Sequence, residues 1–334
     1  MSSAKTEVPW TEKYRPKDIE SVAHHEAVTK MLRNAIETGD MPHLLFHGTP
    51  GTGKTSTILA LCRDLYGPKQ MKKRVLFLNA SDDRGIDVIR TRVKEFARIV
   101  VTTKVEGYPC PDYKFVILDE ADNITPDAQS ALRRTMETCS KNTRICLICN
   151  YVSRIIDPIK SRCAKFRFQP IPAAASLNTL RKIARKESLN TIDGTLERIV
   201  STSGGDLRKA ITTMQTAFTA FEMPGPADID TLVGRIPDEL VGQVYRTISS
   251  GQFDAAKRQA DELTKLAYSV KQLMLQMNEV IFDDMLLSDQ AKAAILGRMA
   301  LVDRNIQDGA LESLQLLDLL AFIGYSVQMD RGRK

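Results

Sequence analysis

Two short segments and a set of single polar residues in this 334-residue chain have types and spacing that could perform phosphate chemistry. The first is HGTPGTGKT, residues 47–55, which contains the pattern GxxxxGKT beginning at Gly48. Glycines let backbone N–H groups curl around phosphates, and the N-terminus of a following helix adds partial positive charge. In such a loop Lys54 would contact the β- and γ-phosphates, and the hydroxyl of Thr55 would bind Mg²⁺. The pattern predicts an ATP-binding loop.

The second segment is FVILDE, residues 115–120, in which four apolar residues precede two acids. A strand that ends in two carboxylates beside a phosphate-binding loop is typical of nucleotide hydrolysis. Asp119 would hold Mg²⁺, directly or through water, and Glu120 would polarise the attacking water. Together the two segments predict Mg²⁺-dependent ATP hydrolysis, achieved by positioning and electrostatic stabilisation.

The third set consists of single polar residues at the ends of predicted elements. Asn150 follows the apolar run 143–149, where a polar side chain could orient the water or contact the γ-phosphate. Asp206 is a predicted N-cap, which leaves Arg208 in the first turn of a helix. Because a cation there opposes the helix dipole, Arg208 is expected to have an anionic partner, and nucleotide phosphate is the available one.

The elements that must position these residues alternate between strand and helix in the first half of the chain. Apolar runs predict strands, and the stretches between them have helical periodicity, which favours a parallel sheet covered on both faces. Beyond Pro170 the strands stop. The predicted strands are 41–48, 75–81, 114–122, 143–150 and 165–170, and the predicted domains are an α/β domain (1–170), a small helical domain (171–235) and an all-helical domain (236–334).

Composition and charge narrow the class of protein. Charged residues make up 26% of the chain, as in ordinary globular proteins, and no apolar run is long enough for a transmembrane helix. The N-terminus has no apolar signal core, which argues against secretion. The net charge is +6, and residues 69–104 hold ten basic and four acidic residues. This patch is compatible with a polyanionic partner or with a solvated helix face.

Six motifs occur in an order that resembles the small subunits of eukaryotic replication factor C, which are AAA+ clamp-loader ATPases. They are PWTEKYRP (9–16), HGTPGTGKT (47–55), FVILDEAD (115–122), CN (149–150), SRC (161–163) and GGDLRKA (204–210). The resemblance covers nearly the whole chain and implies an AAA+ domain, a helical lid and a helical collar. It also implies a nuclear, hetero-oligomeric and pentameric ring that opens a sliding clamp and places it on primer–template DNA during replication and repair.

The resemblance assigns the site residues by motif. Asp119 and Glu120 match Walker B, Asn150 matches sensor 1 and Arg208 matches sensor 2. Arg162 matches the arginine finger, which in this family contacts the ATP of the neighbouring subunit. The adenine and ribose side of the site matches Thr11, Arg15 and Val22, and the Walker A loop matches Gly48, Thr49, Pro50, Gly51, Thr52, Gly53, Lys54, Thr55 and Ser56.

Arg162 lies at the end of IIDPIKSRC (155–163), and no acid follows it closely in the sequence. We therefore predict that its anionic partner is a phosphate on another subunit. The helix predicted at 84–100 has an apolar face and a second, basic stripe. The resemblance implies DNA contacts from this stripe, because the corresponding helix of clamp loaders follows the DNA backbone. The predicted phosphate ligands are Arg84, Arg90 and Lys94, with Arg133 and Arg134 as further candidates. Such contacts would be independent of base sequence and sensitive to salt.

Some features of the sequence also occur in classes of protein other than replicative clamp-loader subunits. The letters DEAD at 119–122 suggest a helicase, but a DEAD-box helicase needs a second α/β domain, whereas residues 236–334 are predicted all-helical. A shared small subunit of an alternative clamp loader, for checkpoint or cohesion functions, stays open, as does another AAA+ DNA remodeller. A non-catalytic ATP binder is disfavoured because Lys54, Asp119 and Glu120 are all present.

Overall fold

The computed structural model describes residues 8–22, 25–81, 86–99 and 105–332, with the backbone alone at residues 86–90 and 256. The chain divides into two compact units, Met1–Pro224 and Gly225–Lys334. The first contains a five-stranded sheet, and the described part of the second is helical.

All pairings in the sheet are parallel, as predicted, and the strand order is β2-β3-β4-β1-β5. The strands are β1 (His43–Gly48), β2 (Val75–Asn79), β3 (Lys114–Asp119), β4 (Thr143–Cys149) and β5 (Cys163–Phe168). This order places β4 between β1 and β3. The carboxyl ends of these three strands therefore lie side by side at one edge, where ligands bind in open α/β sheets.

Helices cover both faces of this sheet and form the rest of the first unit. Thr125 caps α5 by accepting a hydrogen bond from the N–H of Ala128, and proline follows at the first helical position. The helices are α1 (Trp10–Lys13), α2 (Glu26–Thr38), α3 (Lys54–Arg74), α4 (Ile86–Arg98), α5 (Pro126–Cys139), α6 (Asp157–Lys160), α7 (Ala173–Lys186), α8 (Thr195–Ser203) and α9 (Leu207–Ala220).

The central strands β3, β4 and β1 are largely apolar because both of their faces are buried, whereas the edge strand β5 carries Lys165 and Arg167. Leu44 and Phe46 of β1 belong to one core cluster, while Leu45, which points to the opposite face, belongs to the other. All three are fully buried. Each such side chain contributes roughly 1.5–3 kcal/mol through burial. Packing on both faces therefore fixes the strands whose carboxyl ends carry the predicted site residues.

The second unit packs its helices around a separate core that includes Ile295, Ile323 and Val327. Its helices are α10 (Pro226–Val233), α11 (Asp238–Ser249), α12 (Phe253–Lys265), α13 (Val270–Asp283), α14 (Asp289–Gln307) and α15 (Glu312–Arg331). Among the described residues, no helix combines the length and apolar character needed to span a bilayer. The predicted α/β fold followed by helical regions is confirmed.

Candidate active site

The glycine-rich loop connects β1 to α3, as predicted, and its lysine is turned back onto the loop. Lys54 is 7% exposed, and its Nζ donates hydrogen bonds to the carbonyl oxygens of Gly48 at 2.7 Å and Thr49 at 2.8 Å. Burial lowers the pKa of Lys54, and the carboxylate of Asp119 partly opposes that effect. The ammonium group is thus held in the loop by carbonyl oxygens. Phosphate oxygens could accept the same hydrogen bonds.

Thr55 and Asp119 are brought together although 64 residues separate them in the chain. The hydroxyl of Thr55 donates to Oδ2 of Asp119 at 2.9 Å. Oxygen atoms converge here from a hydroxyl and a carboxylate, which are ligands that Mg²⁺ prefers. The pair fits a magnesium ion coordinated at the end of β3.

Glu120 follows Asp119 with φ 53° and ψ 40°, in the left-handed region that few non-glycine residues adopt. Its backbone N–H donates to Oδ1 of Asp119 at 2.9 Å, and its Oε2 accepts from Asn123 at 3.2 Å. Strained backbone of this kind clusters at functional sites because the surrounding structure fixes it for a purpose. Here the backbone conformation occurs directly after β3, and the Glu120 carboxylate is held by Asn123.

Asn150, at the end of the central strand β4, lies between the lysine and the acids. Its Oδ1 accepts a hydrogen bond from Lys54 Nζ at 3.0 Å. Its backbone N–H and that of Tyr151 each donate to Oδ2 of Asp122 at 3.3 Å. The strand order explains this position, because β4 separates the strand that leads to Lys54 from the strand that ends in Asp119.

Helix α9 begins beside the phosphate-binding loop. Asp206 is its N-cap, as predicted, and accepts a hydrogen bond from the N–H of Lys209 at 3.0 Å. The N–H of Leu207 donates to the carbonyl oxygen of Gly51 at 3.3 Å. Arg208 is exposed and close enough for its charge to lower the pKa of Lys54. The N-terminus of α9 therefore faces the same site as the loop.

His25 was not singled out by sequence reasoning, yet it contacts the loop. Its Nε2 lies 3.0 Å from the carbonyl oxygen of Thr52, and its ring packs edge-on against Phe168 with centroids 4.5 Å apart. The residue is buried. Two adjacent histidines before a helix gave no signal that one of them would contact a loop 27 positions away.

The residues predicted on the adenine and ribose side lie in the N-terminal segment. Thr11 is a half-buried residue of α1, and Val22 is buried. Arg15 forms an ion pair with Glu12 at 2.7 Å. The segment is tied to α9, because the N–H of Trp10 donates to Oε1 of Gln215 at 3.0 Å. Contact of these three residues with a base remains a prediction.

Arg162 has an anionic partner on its own chain, which was not predicted; its contact with a phosphate on another subunit stays a prediction. Its Nη2 lies 2.7 Å from Oε1 of Glu137 on α5, and its Nη1 donates to the carbonyl oxygen of Pro158 at 2.7 Å. No local pattern indicates this pair, because packing of α5 against α6 brings the two residues together. The side chain of Arg162 is 39% exposed.

The predicted DNA ligands are described only in part. Arg84, and the side chain of Arg90, lie outside the described residues. Lys94 is exposed on α4 and lines a groove between α4 and α5 together with Arg134. Arg133 is half-buried, and its Nε lies 3.8 Å from Oε1 of Glu137. Of the predicted apolar face of α4, Val93 is fully buried and Phe96 is half-buried.

Comparison with known proteins defines the family. Residues 44–171 match the family model for "ATPase family associated with various cellular activities (AAA)", residues 178–219 match the "RCF1/5-like, AAA+ ATPase lid domain", and residues 236–322 match the "Replication factor C C-terminal domain". Human replication factor C subunit 4 is 47% identical over 95% of this chain and 88% of its own length. The chain belongs to the replication factor C small-subunit family.

Relatives from other lineages support the same membership. Replication factor C subunit 2 of Saccharomyces cerevisiae is 44% identical over 94% of this chain and 92% of its own length. The replication factor C small subunit of Archaeoglobus fulgidus is 41% identical over 94% and 96%. The predicted family is confirmed, and with it an AAA+ ATPase fold that binds nucleotide.

Solved structures with the same fold include the Holliday junction branch migration motor RuvB of Thermotoga maritima. It matches with a TM-score of 0.52 and 15% identity, over 79% of this chain and 91% of that one. At this identity the likeness concerns the fold alone. The family is decided by the sequence relatives.

Proposed function

We propose that this chain is an ATP-hydrolysing subunit of a sliding-clamp loader. The observation that carries the proposal is the cluster of Lys54, Thr55, Asp119 and Asn150 at the carboxyl edge of the sheet, joined by hydrogen bonds of 2.9–3.0 Å. Each of these residues has the side chain that phosphate or Mg²⁺ chemistry requires. Membership of the replication factor C family supports clamp loading as the use of that chemistry.

In this site ATP would replace the loop carbonyls as the partner of Lys54. The glycine-rich loop binds the phosphates through backbone N–H groups, and Arg208 adds positive charge from α9. Thr55 and Asp119 would hold Mg²⁺, and the ion would neutralise charge that develops on the phosphates. Glu120 orients the attacking water with help from Asn150. Thr11, Arg15 and Val22 bind the adenosine part.

Arg162 would act in trans, on the ATP held by a neighbouring subunit. The exposure of the Arg162 side chain supports this role, because an arginine finger must be accessible to a phosphate that is bound by another subunit. The chain then works only within a hetero-oligomer, which we propose is a pentameric ring. The division into an α/β domain (1–170), a lid (171–235) and a collar (236–334) is part of this proposal and agrees with the ranges of the family matches.

DNA would lie against α4 and α5. Lys94 and Arg134 line one groove, which supports a shared contact with the phosphate backbone, alongside Arg84, Arg90 and Arg133. We place the complex in the nucleus because eukaryotic relatives are replication factor C subunits. A fluorescent fusion of the chain expressed in its own cells tests this location.

Clamp loading by the reconstituted complex tests the central proposal. The complex, purified with its partner subunits, should retain a labelled sliding clamp on primed circular DNA only with ATP and Mg²⁺. The Glu120→Gln variant should assemble and bind ATP but hydrolyse it far more slowly. A wild-type complex that hydrolyses ATP with DNA but never loads a clamp would contradict the proposal and favour another AAA+ DNA remodeller.

The large subunit that copurifies with the native chain decides between the replicative loader and the alternative loaders. The same small subunit could serve both, so its sequence does not discriminate between them. Mass spectrometry of complexes isolated through a tag on this chain identifies the partner. Loss of clamp loading on removal of each partner in turn then assigns the activity.

A further inference from the structure

The anionic partner of Arg162 is itself positioned between two arginines. Glu137 lies in the last turn of α5, with its Oε1 2.7 Å from Arg162 Nη2 and 3.8 Å from Arg133 Nε. Arg133 precedes Glu137 by one helical turn, so both side chains lie on the same face of α5. A single carboxylate oxygen thus serves as the acceptor for one cation and stands close to a second.

The second arginine has an unsatisfied donor. Within the described part of the chain, Nε of Arg133 is buried and has no hydrogen-bond partner, because 3.8 Å is too long for a hydrogen bond. A buried donor without a partner costs free energy. A hydrogen bond from Arg133 to Glu137 would therefore be favourable whenever that carboxylate is not paired with Arg162. Departure of Arg162 would therefore leave Glu137 with a replacement cation already beside it.

We propose that Glu137 is a positioning residue that holds the arginine finger on its own subunit until a neighbour's phosphate displaces it. This inference rests on the proposed action of Arg162 in trans. Of the two terminal nitrogens of Arg162, Nη2 is paired with Glu137 and Nη1 donates to the carbonyl oxygen of Pro158, so a phosphate that binds both nitrogens displaces Glu137. Repulsion between the two anions favours this exchange, and Arg133 takes over Glu137 as it proceeds.

The strength of this restraint follows from its exposure. The side chains of Arg162 and Glu137 are 39% and 42% exposed, so water and salt weaken their attraction. Exposed ion pairs contribute at most about 1 kcal/mol, which corresponds to a factor of about five. Glu137 accordingly acts as a graded restraint on hydrolysis, and it matters most before DNA has ordered the subunit interfaces.

The test compares Glu137→Gln with wild type in the reconstituted complex. Glutamine keeps the size and one acceptor oxygen but removes the charge that competes with phosphate. Steady-state ATP hydrolysis without DNA should rise about two- to fivefold, while ATP affinity of the variant subunit itself stays unchanged. A fall in hydrolysis, which a purely structural support of Arg162 would give, overturns the proposal, and so does an unchanged rate.

Glu197→Gln is the matched control. Glu197 forms an ion pair with Arg181 at 3.0 Å on the lid, with side chains 50% and 51% exposed, so the substitution removes a similar surface pair. Its DNA-independent hydrolysis should equal that of wild type. Arg162→Ala distinguishes a failure of the action in trans from a failure of the restraint by Glu137. If that variant leaves hydrolysis intact, the action in trans fails; if it abolishes hydrolysis while Glu137→Gln has no effect, only the restraint fails.

Discussion

Gly51 of the phosphate-binding loop lies directly against Asp206, the N-cap of helix α9. A β-carbon on Gly51 would stand 1.6 Å from Oδ1 of Asp206, and the φ of +69° at Gly51 is itself unfavourable for other residues. The carbonyl oxygen of Gly51 also accepts the hydrogen bond from the N–H of Leu207. The loop and the helix that carries Arg208 are thus fitted to each other at a point where only glycine has room.

Gly51→Ala should therefore weaken ATP binding by at least about tenfold, because the added methyl group displaces Asp206 and moves Arg208 away from the loop. Binding of a fluorescent ATP analogue measures the effect. Gly39→Ala is the control, since Gly39 has a φ of +73° but open space around its β-carbon. That variant should lose about 1 kcal/mol of stability and keep its ATP affinity. Equal affinities of the two variants would contradict the steric argument.

Arg162→Ala should lower ATP hydrolysis at the neighbour's site by roughly 10³-fold if Arg162 acts as arginine fingers do. ATP binding by the isolated variant subunit should stay intact, because Arg162 contacts Glu137 and Pro158 rather than the loop residues. Equilibrium binding to the isolated subunit and single-turnover hydrolysis by the complex measure the two quantities separately. Lost binding in the isolated subunit would show that Arg162 acts in cis.

Removing Arg90 and Lys94 together should reduce the stimulation of ATP hydrolysis by DNA. If both contact phosphates, the slope of log affinity against log salt should fall by about two units. Fluorescence anisotropy with labelled primer–template DNA, measured across a salt series, gives that slope. Lys72→Ala with Lys73→Ala removes the same charge from exposed positions at the end of α3 and should leave the slope unchanged. Equal slopes in the two double variants would refute the assignment of DNA to α4.

Stability should depend on pH through His43, at the start of β1. Burial lowers the pKa of His43 to about 4, helped by the charge of Arg144 and opposed by a backbone hydrogen bond to Met136. Its Nδ1 accepts a hydrogen bond from the N–H of Ile145 at 3.0 Å, which protonation would abolish. In the unfolded chain His43 has its ordinary pKa of about 6.5, so it is protonated below that pH. In the folded chain His43 is protonated only when the pH falls to about 4.

The free energy of unfolding should accordingly fall as the pH drops from about 6.5 to 4, with a contribution of about 1–3 kcal/mol from this residue after allowance for partial exposure. Other groups titrate in the same range, so the informative quantity is the difference from His43→Asn, whose amide oxygen can still accept from Ile145. Urea unfolding at pH 7 and pH 5 measures it. A difference between wild type and variant that does not change with pH would refute the role of His43.

The sequence predicted those features whose cause lies in neighbouring positions. The loop 47–55, the apolar strands and the N-cap at Asp206 each follow from spacing over a few residues. The prediction of an acid pair at the end of β3 is of this kind too.

By itself, then, the sequence determined the chemistry that is available and the order of the elements that carry it, since both are written in local patterns of residue type. The tertiary structure decided which distant residues meet. The contacts of Glu137 with Arg162, Gly51 with Asp206 and His25 with Thr52 each join different elements. These contacts depend on how helices and strands pack, and packing cannot be deduced from the residue types at neighbouring positions. For this reason the sequence led to a partner for Arg162 outside the chain, whereas folding supplied one within it.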